Sequence, residues 1–193
     1  MTTQLKIKSL KNVFQPGTAV PVNKNIDVGN KVGIFLEDKL EKHGFPVNRG
    51  KGSDLSGMEI KSRKRGTTSA ITLGSMTTED IINTPWDECA IKKKIERMSI
   101  VNWDPDLAEI IGTDLLDTTG DACQTMLRDA YENARTAIIA GEDTYTKNTG
   151  GIYLERKSGN NWQLRASTSG LRRIIDCVTG QAVLNDKELF PDV

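Results

Sequence analysis

"GSDLSGMEIKSRKRG", residues 52–66, is the stretch on which the reading of this chain turns. Met58 and Ile60 alternate with Glu59 and Lys61, the period of a strand with one apolar face and one face carrying an acid and a lysine. Asp54 precedes this strand, and the basic run Arg63, Lys64, Arg65 follows it. Two readings fit: a solvated amphipathic strand, or the metal site of an enzyme that cuts phosphodiester bonds. The second needs a divalent cation to lower the pKa of the attacking water and to neutralise charge on the phosphate, and magnesium prefers carboxylate oxygens. Asp54 and Glu59 can supply them. Lys61, on the same strand face as Glu59, can hold the water or stabilise the developing charge. A D-x4-E-x-K triplet alone arises by chance in many chains, so its surroundings decide.

The 193 residues are one domain's worth, enough to bury a core, and 26 basic residues balance 26 acidic ones. The zero net charge neither demands nor excludes a polyanionic partner, so the distribution of charge matters. Asn48 to Arg65 holds Arg49, Lys51, Lys61, Arg63, Lys64 and Arg65, whereas Asp104 to Asp121 and the tail Asp186 to Asp192 lean acidic. Cys89, Cys123 and Cys177 are odd in number and lack CxxC spacing, and no apolar stretch suits a signal peptide or a membrane span. The expectation is a single cytoplasmic domain over residues 1–193, with the cysteines in its core and no membrane partner.

Outward from the opening stretch, Val32, Phe35, Leu36 and Leu40 recur at helical spacing after the capping residue Asn30, and Gly44 and Pro46 end that helix. Glu37 lies at the margin of its apolar stripe, one turn after Gly33. "SAITLGSM" and "SIVNW" read as strands, the latter ahead of an Asp104–Pro105 turn, and "TPWDECAIKKKIERM" between them as one helix opening at Pro85. On that helix Lys94 falls between Ala90 and Met98, directed inward or along a cleft. A long helix runs from about Asp121 to Ala140, "GGIYLERK" and "NWQLRAS" form a hairpin around Ser158–Asn161, and Leu171 to Val178 is a short last helix. Strands and helices mix without regular βαβ alternation, so the fold class is α/β or α+β with a mixed sheet.

The ordered segments "VGIFLEDKL", "SDLSGMEIKS", "TTSAITLGSM" and "WDECAIKKKIERMSIVNW" carry a resemblance that covers Val32 to Trp103. Together they resemble the MutH-type nucleases, the branch of the PD-(D/E)xK superfamily that includes the mismatch-repair nickase and restriction enzymes cutting at GATC. "AIIAGEDTYTKNTGGIYLERK" is similar, less specifically, to a later family segment. The resemblance implies a restriction endonuclease-like core, a central mixed β-sheet flanked by helices, with a catalytic part at about 28–104 and a DNA-recognition part at about 141–180. It implies Asp54, Glu59 and the backbone carbonyl of Ile60 as ligands of Mg2+ or Mn2+, Lys61 as catalytic lysine, Glu37 as helix acid at the metal and Lys94 as accessory lysine. The gap from Asp54 to Glu59 is two residues shorter than in the mismatch-repair member.

The expected activity is magnesium-dependent hydrolysis of double-stranded DNA by a restriction-type or nicking enzyme, as a homodimer or with an activating protein partner. A nuclease of branched DNA or RNA, and an inactive DNA-binding protein on the same fold, stay open. Arg63, Lys64 and Arg65 would contact phosphates. Arg156, Lys157 and Arg165 can pair with guanine, and Asn160 and Asn161 with adenine, or Arg156 and Lys157 can hold phosphates alone. His43 is expected to serve its helix C-terminus, Trp86, Trp103 and Trp162 the core, and Gly150–Gly151 a turn.

Overall fold

The computed structural model describes residues 10–21, 29–50, 53–55, 57–142 and 150–178. Lys51, the acidic tail and residues 143–149 of the later family segment lie outside them, as do the side chains of Lys11, Gly29 and the expected cap Asn30. The class is mixed α/β. Where one central sheet was expected, hydrogen bonding defines two three-stranded sheets, and the contacts divide the chain into two compact units. One is built on residues up to Thr67 with Arg97–Leu116, the other on Thr68–Glu96 and residues from Asp117.

The first unit contains helix α1 (Leu10–Val13), helix α2 (Gly29–Lys42) and strands β1 (Glu59–Lys64), β3 (Arg97–Asp104) and β4 (Glu109–Asp117). β1 runs parallel to β3, Lys61 opposite Ile100 and Arg63 opposite Asn102. β3 also pairs with β4, and since residues 105–108 are too few for a crossover, that pair is antiparallel and the sheet mixed. A parallel pair needs a long crossover, and the chain makes it by passing through the second unit between β1 and β3. Val32, Leu36 and Leu40 of α2 are buried with Ile60, Val101, Trp103 and Ile110, each such side chain contributing about 1.5–3 kcal/mol. α2 begins at Gly29, so the expected cap Asn30 is already helical. Its end is the expected one: Gly44 at φ +85° donates to Glu41 O (2.9 Å) and Phe45 to Leu40 O (3.1 Å), a Schellman closure. His43 Nδ1 donates to Lys39 O at 2.8 Å, in the helix-end role expected of it.

The second unit contains β2 (Ile71–Thr77), α3 (Thr78–Asn83), a 3-10 turn at Trp86–Glu88, α4 (Ala90–Ile95), α5 (Asp121–Ile139), β5 (Ile152–Arg156), β6 (Asn161–Ala166) and α6 (Thr168–Val178). β6 lies between β2 and β5, antiparallel to both. The single helix expected over residues 84–98 is instead the 3-10 turn and the short α4, interrupted at Cys89, and Met98 belongs to β3. Gly74 makes room in β2: a Cβ there would stand 2.7 Å from Ile91 of α4, and the register with β6 shifts at the same place. Trp86 and Trp162 are buried in this unit and Trp103 in the other, as expected. The cysteines are free; Cys89 and Cys123 are buried and Cys177 half-buried. No helix among the described residues is long and apolar enough to cross a membrane.

The Asp104–Pro105 turn is held by its own acid. Asp104 Oδ1 accepts from the N–H groups of Asp106 and Leu107, and Oδ2 accepts from Arg65 at 2.7 Å. The Arg65 guanidinium and these amides hold the carboxyl below its ordinary value of 3.8. A lowered folded pKa means stability that is present above the unfolded value and lost as pH falls through the folded one. Asp104→Asn should therefore lower the melting temperature at pH 7, with the gap to the parent closing below about pH 4. Thermal melts by circular dichroism at both pH values check this, and a constant gap would exclude the ionised carboxylate as its source.

Candidate active site

The site is assembled by a tight turn ahead of β1. Leu55 and Met58 exchange both backbone hydrogen bonds (3.0 and 3.1 Å), with Gly57 at φ +72°, a conformation favouring glycine. The turn folds Asp54 back onto the strand, where its Oδ2 accepts from the Ile60 N–H at 2.8 Å. Its carbonyl accepts from the Asn48 N–H at 2.7 Å, fixing the incoming chain. The short Asp54-to-Glu59 spacing thus returns the acid to the start of β1. The Ile60 amide N–H thereby orients the Asp54 carboxylate.

Glu59 is 1% exposed, although alternation placed it on a polar face. Its compensation comes from Lys61, whose Nζ donates to Glu59 Oε1 at 2.5 Å. The two side chains share one face of β1, as the period-two pattern required. On α2, Glu37 forms a 3.2 Å ion pair with Arg49. Burial first, then the Asp54 carboxylate, raise the Glu37 carboxyl above its ordinary value; Arg49 opposes them, and Asp38 and Glu41 add to the rise. Arg49 also pairs with Asp38 (2.6 Å) and Glu41 (3.1 Å), tying the loop before the turn to the acidic side of α2. The sequence reading counted it only as one more positive charge.

Among the described residues no three His, Cys, Asp or Glu side chains are gathered closely enough to hold a metal ion. As donor chemistry, carboxylates at Asp54 and Glu59 suit magnesium, which commonly takes one or two and leaves its other positions to water and phosphate. Glu37, engaged by Arg49, does not complete a three-acid set.

The remaining expected residues lie in two places. Arg63, Lys64 and Arg65 line a cleft at the end of β1. Lys94 is half-buried on α4 of the second unit, and without Met98 on that helix the argument for its inward face loses one of its two flanking residues. In the second unit's hairpin, Arg156 donates to Gly159 O (2.9 Å) and stacks over Trp162, while Lys157 pairs with Glu155 (2.8 Å). Arg165 also pairs with Glu155 and donates to Ala70 O (2.7 Å). These cations brace their own hairpin, while Asn160 and Asn161 are exposed at its turn. Gly150 and Gly151, at φ +61° and +92°, lead into β5 as expected.

No protein-family model matches the chain, and no curated protein is significantly similar to it.

Removing one partner of a buried ion pair costs about 3–5 kcal/mol, because the other charge stays out of water. Lys61→Met should lower stability by about that amount at neutral pH, and the double variant Glu59→Gln, Lys61→Met should recover most of it. Urea midpoints of the four proteins supply the cycle. Additive losses would mean that the two groups are energetically independent.

Proposed function

We propose that this chain is a metal-dependent DNA endonuclease of the PD-(D/E)xK type, hydrolysing phosphodiester bonds as a restriction-type or nicking enzyme. The observation that carries this reading is the convergence on one strand start of Asp54, hydrogen-bonded to the Ile60 amide, and the Glu59–Lys61 pair, with Glu37 feeling the Asp54 charge. The parallel β1–β3 pair with α2 packed on β1 supports a restriction endonuclease-like core. The free thiols are in keeping with a reducing, cytoplasmic setting.

In this reading Asp54 and Glu59 hold Mg2+, or Mn2+ in its place, which when bound activates water and neutralises phosphate charge. The Ile60 amide orients the Asp54 carboxylate by occupying one oxygen. Lys61, released toward the substrate phosphate, offers its ammonium to the charge that grows on the nonbridging oxygens. Arg49 holds the acidic face of α2 together and so limits repulsion between Glu37 and its neighbours. Asn160 and Asn161, exposed at the turn of the second unit's hairpin, contact bases. Arg63, Lys64 and Arg65 hold the double-stranded DNA backbone.

A second reading follows from the same ion pair. With Glu59 neutralised by Lys61, the chain would bind DNA on a nuclease-like fold without cutting it. Supercoiled plasmid incubated with Mg2+, with Mn2+ and with EDTA decides between them. The endonuclease should give open-circle or linear product in either metal and none in EDTA. Lys61→Met, compared at a temperature where it is folded, should cut at least a hundredfold more slowly while still binding DNA. An inert parent protein would leave the second reading, and a Lys61 variant of normal turnover would remove Lys61 from the chemistry.

A further inference from the structure

The cleft at the end of β1 has more than positive charge. It measures about 310 Å3 and is lined by Arg63, Lys64 and Arg65, by Asn102 of β3 and by Ile111 and Gly112 of β4, all in the first unit. Arg63 and Asn102 are register partners, so their side chains share a sheet face. That face is also the one carrying Glu59 and Lys61, and Arg63 is one two-residue step, about 6.6 Å, beyond Lys61. Ile111 is 40% exposed, an apolar surface in an otherwise polar cleft. Asn102 Nδ2 donates to Asp114 Oδ2 at 2.8 Å, which presets the amide plane and leaves the amide oxygen and a second N–H to offer. Three cations line the cleft, of which Arg65 is paired with Asp104.

We propose that this cleft is a pocket for one nucleotide turned out of a DNA strand, with a preference for adenine. Arg63 and Arg65 take its phosphate, and Arg65 is held for that role by its ion pair with Asp104. The base lies over Ile111 and Gly112, where a side chain at position 112 would otherwise stand. The Asn102 amide pairs with the base edge; an amide can donate and accept at once, matching the N7 acceptor and N6 donor of adenine. The volume is at the lower end of small-molecule sites, enough for one nucleotide. The inference rests on DNA as the partner, but not on cleavage of it.

The test is equilibrium binding of three fluorescein-labelled duplexes in EDTA, followed by anisotropy: one fully paired, one with a single unpaired adenine and one with a single unpaired cytosine. The adenine duplex should bind about tenfold tighter than the cytosine duplex. Gly112→Val should abolish that preference; a Cβ at Gly112 meets nothing within 4 Å and its backbone is not left-handed, so the fold should persist and far-ultraviolet circular dichroism verifies it. Asn102→Ala, a change at a partly exposed side chain, should equalise the two bulged duplexes while affinity for the paired one holds. Arg63→Gln should weaken all three alike and reduce the slope of log K against log salt by about 1. Equal binding of the duplexes by the parent protein, binding of none, or an adenine preference that survives Asn102→Ala would each overturn the proposal. A protein that cuts plasmid yet shows no preference refutes this pocket alone. A preference in a protein that never cuts leaves the pocket standing and removes the nuclease reading.

Discussion

A carboxylate that leaves water must find its compensation nearby, and the Glu59 carboxylate at the start of β1 finds it in the Lys61 ammonium two residues on. The strand's geometry makes the pairing possible, since side chains two apart share a face. It also ties the active-site reading to the fold. Buried on the face of β1 opposite Met58 and Ile60, Glu59 needs the strand to keep its register against β3. A one-residue slip would turn the pair into the core occupied by Val101 and Trp103 and expose Ile60. The turn at Gly57 and the Asp54–Ile60 hydrogen bond pin that register from the N-terminal side.

Along β1 the charged face changes character in a few residues. At Glu59 it is dry and the charge is matched within the strand; at Arg63 and Arg65 it opens into a cleft. Charges are worth more where water is excluded, so a phosphate at the Lys61 end would feel a stronger field than one at the Arg65 end. In the proposed nuclease reading the exposed end draws the polyanion in and the buried end acts on it.

Much of this was legible in the sequence. The alternation around Glu59 located β1, Gly44 marked the end of α2, and Ser158–Asn161 marked the β5–β6 turn, because each is local chemistry. What escaped reading depended on distant partners. β4 was missed because "EIIGTDLLD" buries only Ile110 and Leu116, with acids and Gly112 diluting the alternation. α3 begins on a capping box, Thr77 with Asp80, hidden at the end of a strand pattern that runs straight into it. The lysine-rich segment has helical spacing through Met98, yet the chain turns into β3 at Arg97, where pairing with β1 outweighs propensity.

Arg49 shows why counting charges along a sequence misleads. Grouped by position, it counted toward a basic stretch from Asn48 to Arg65; in the structure it faces Glu37, Asp38 and Glu41, which lie on one turn of α2 and would otherwise repel one another. Each of these exposed contacts is individually weak, but a guanidinium with five donors can serve three carboxylates at once. Its effect on the site is indirect. By opposing the rise that burial and the Asp54 carboxylate impose on the Glu37 carboxyl, Arg49 offsets part of the repulsion on the acidic side of the helix that packs on β1.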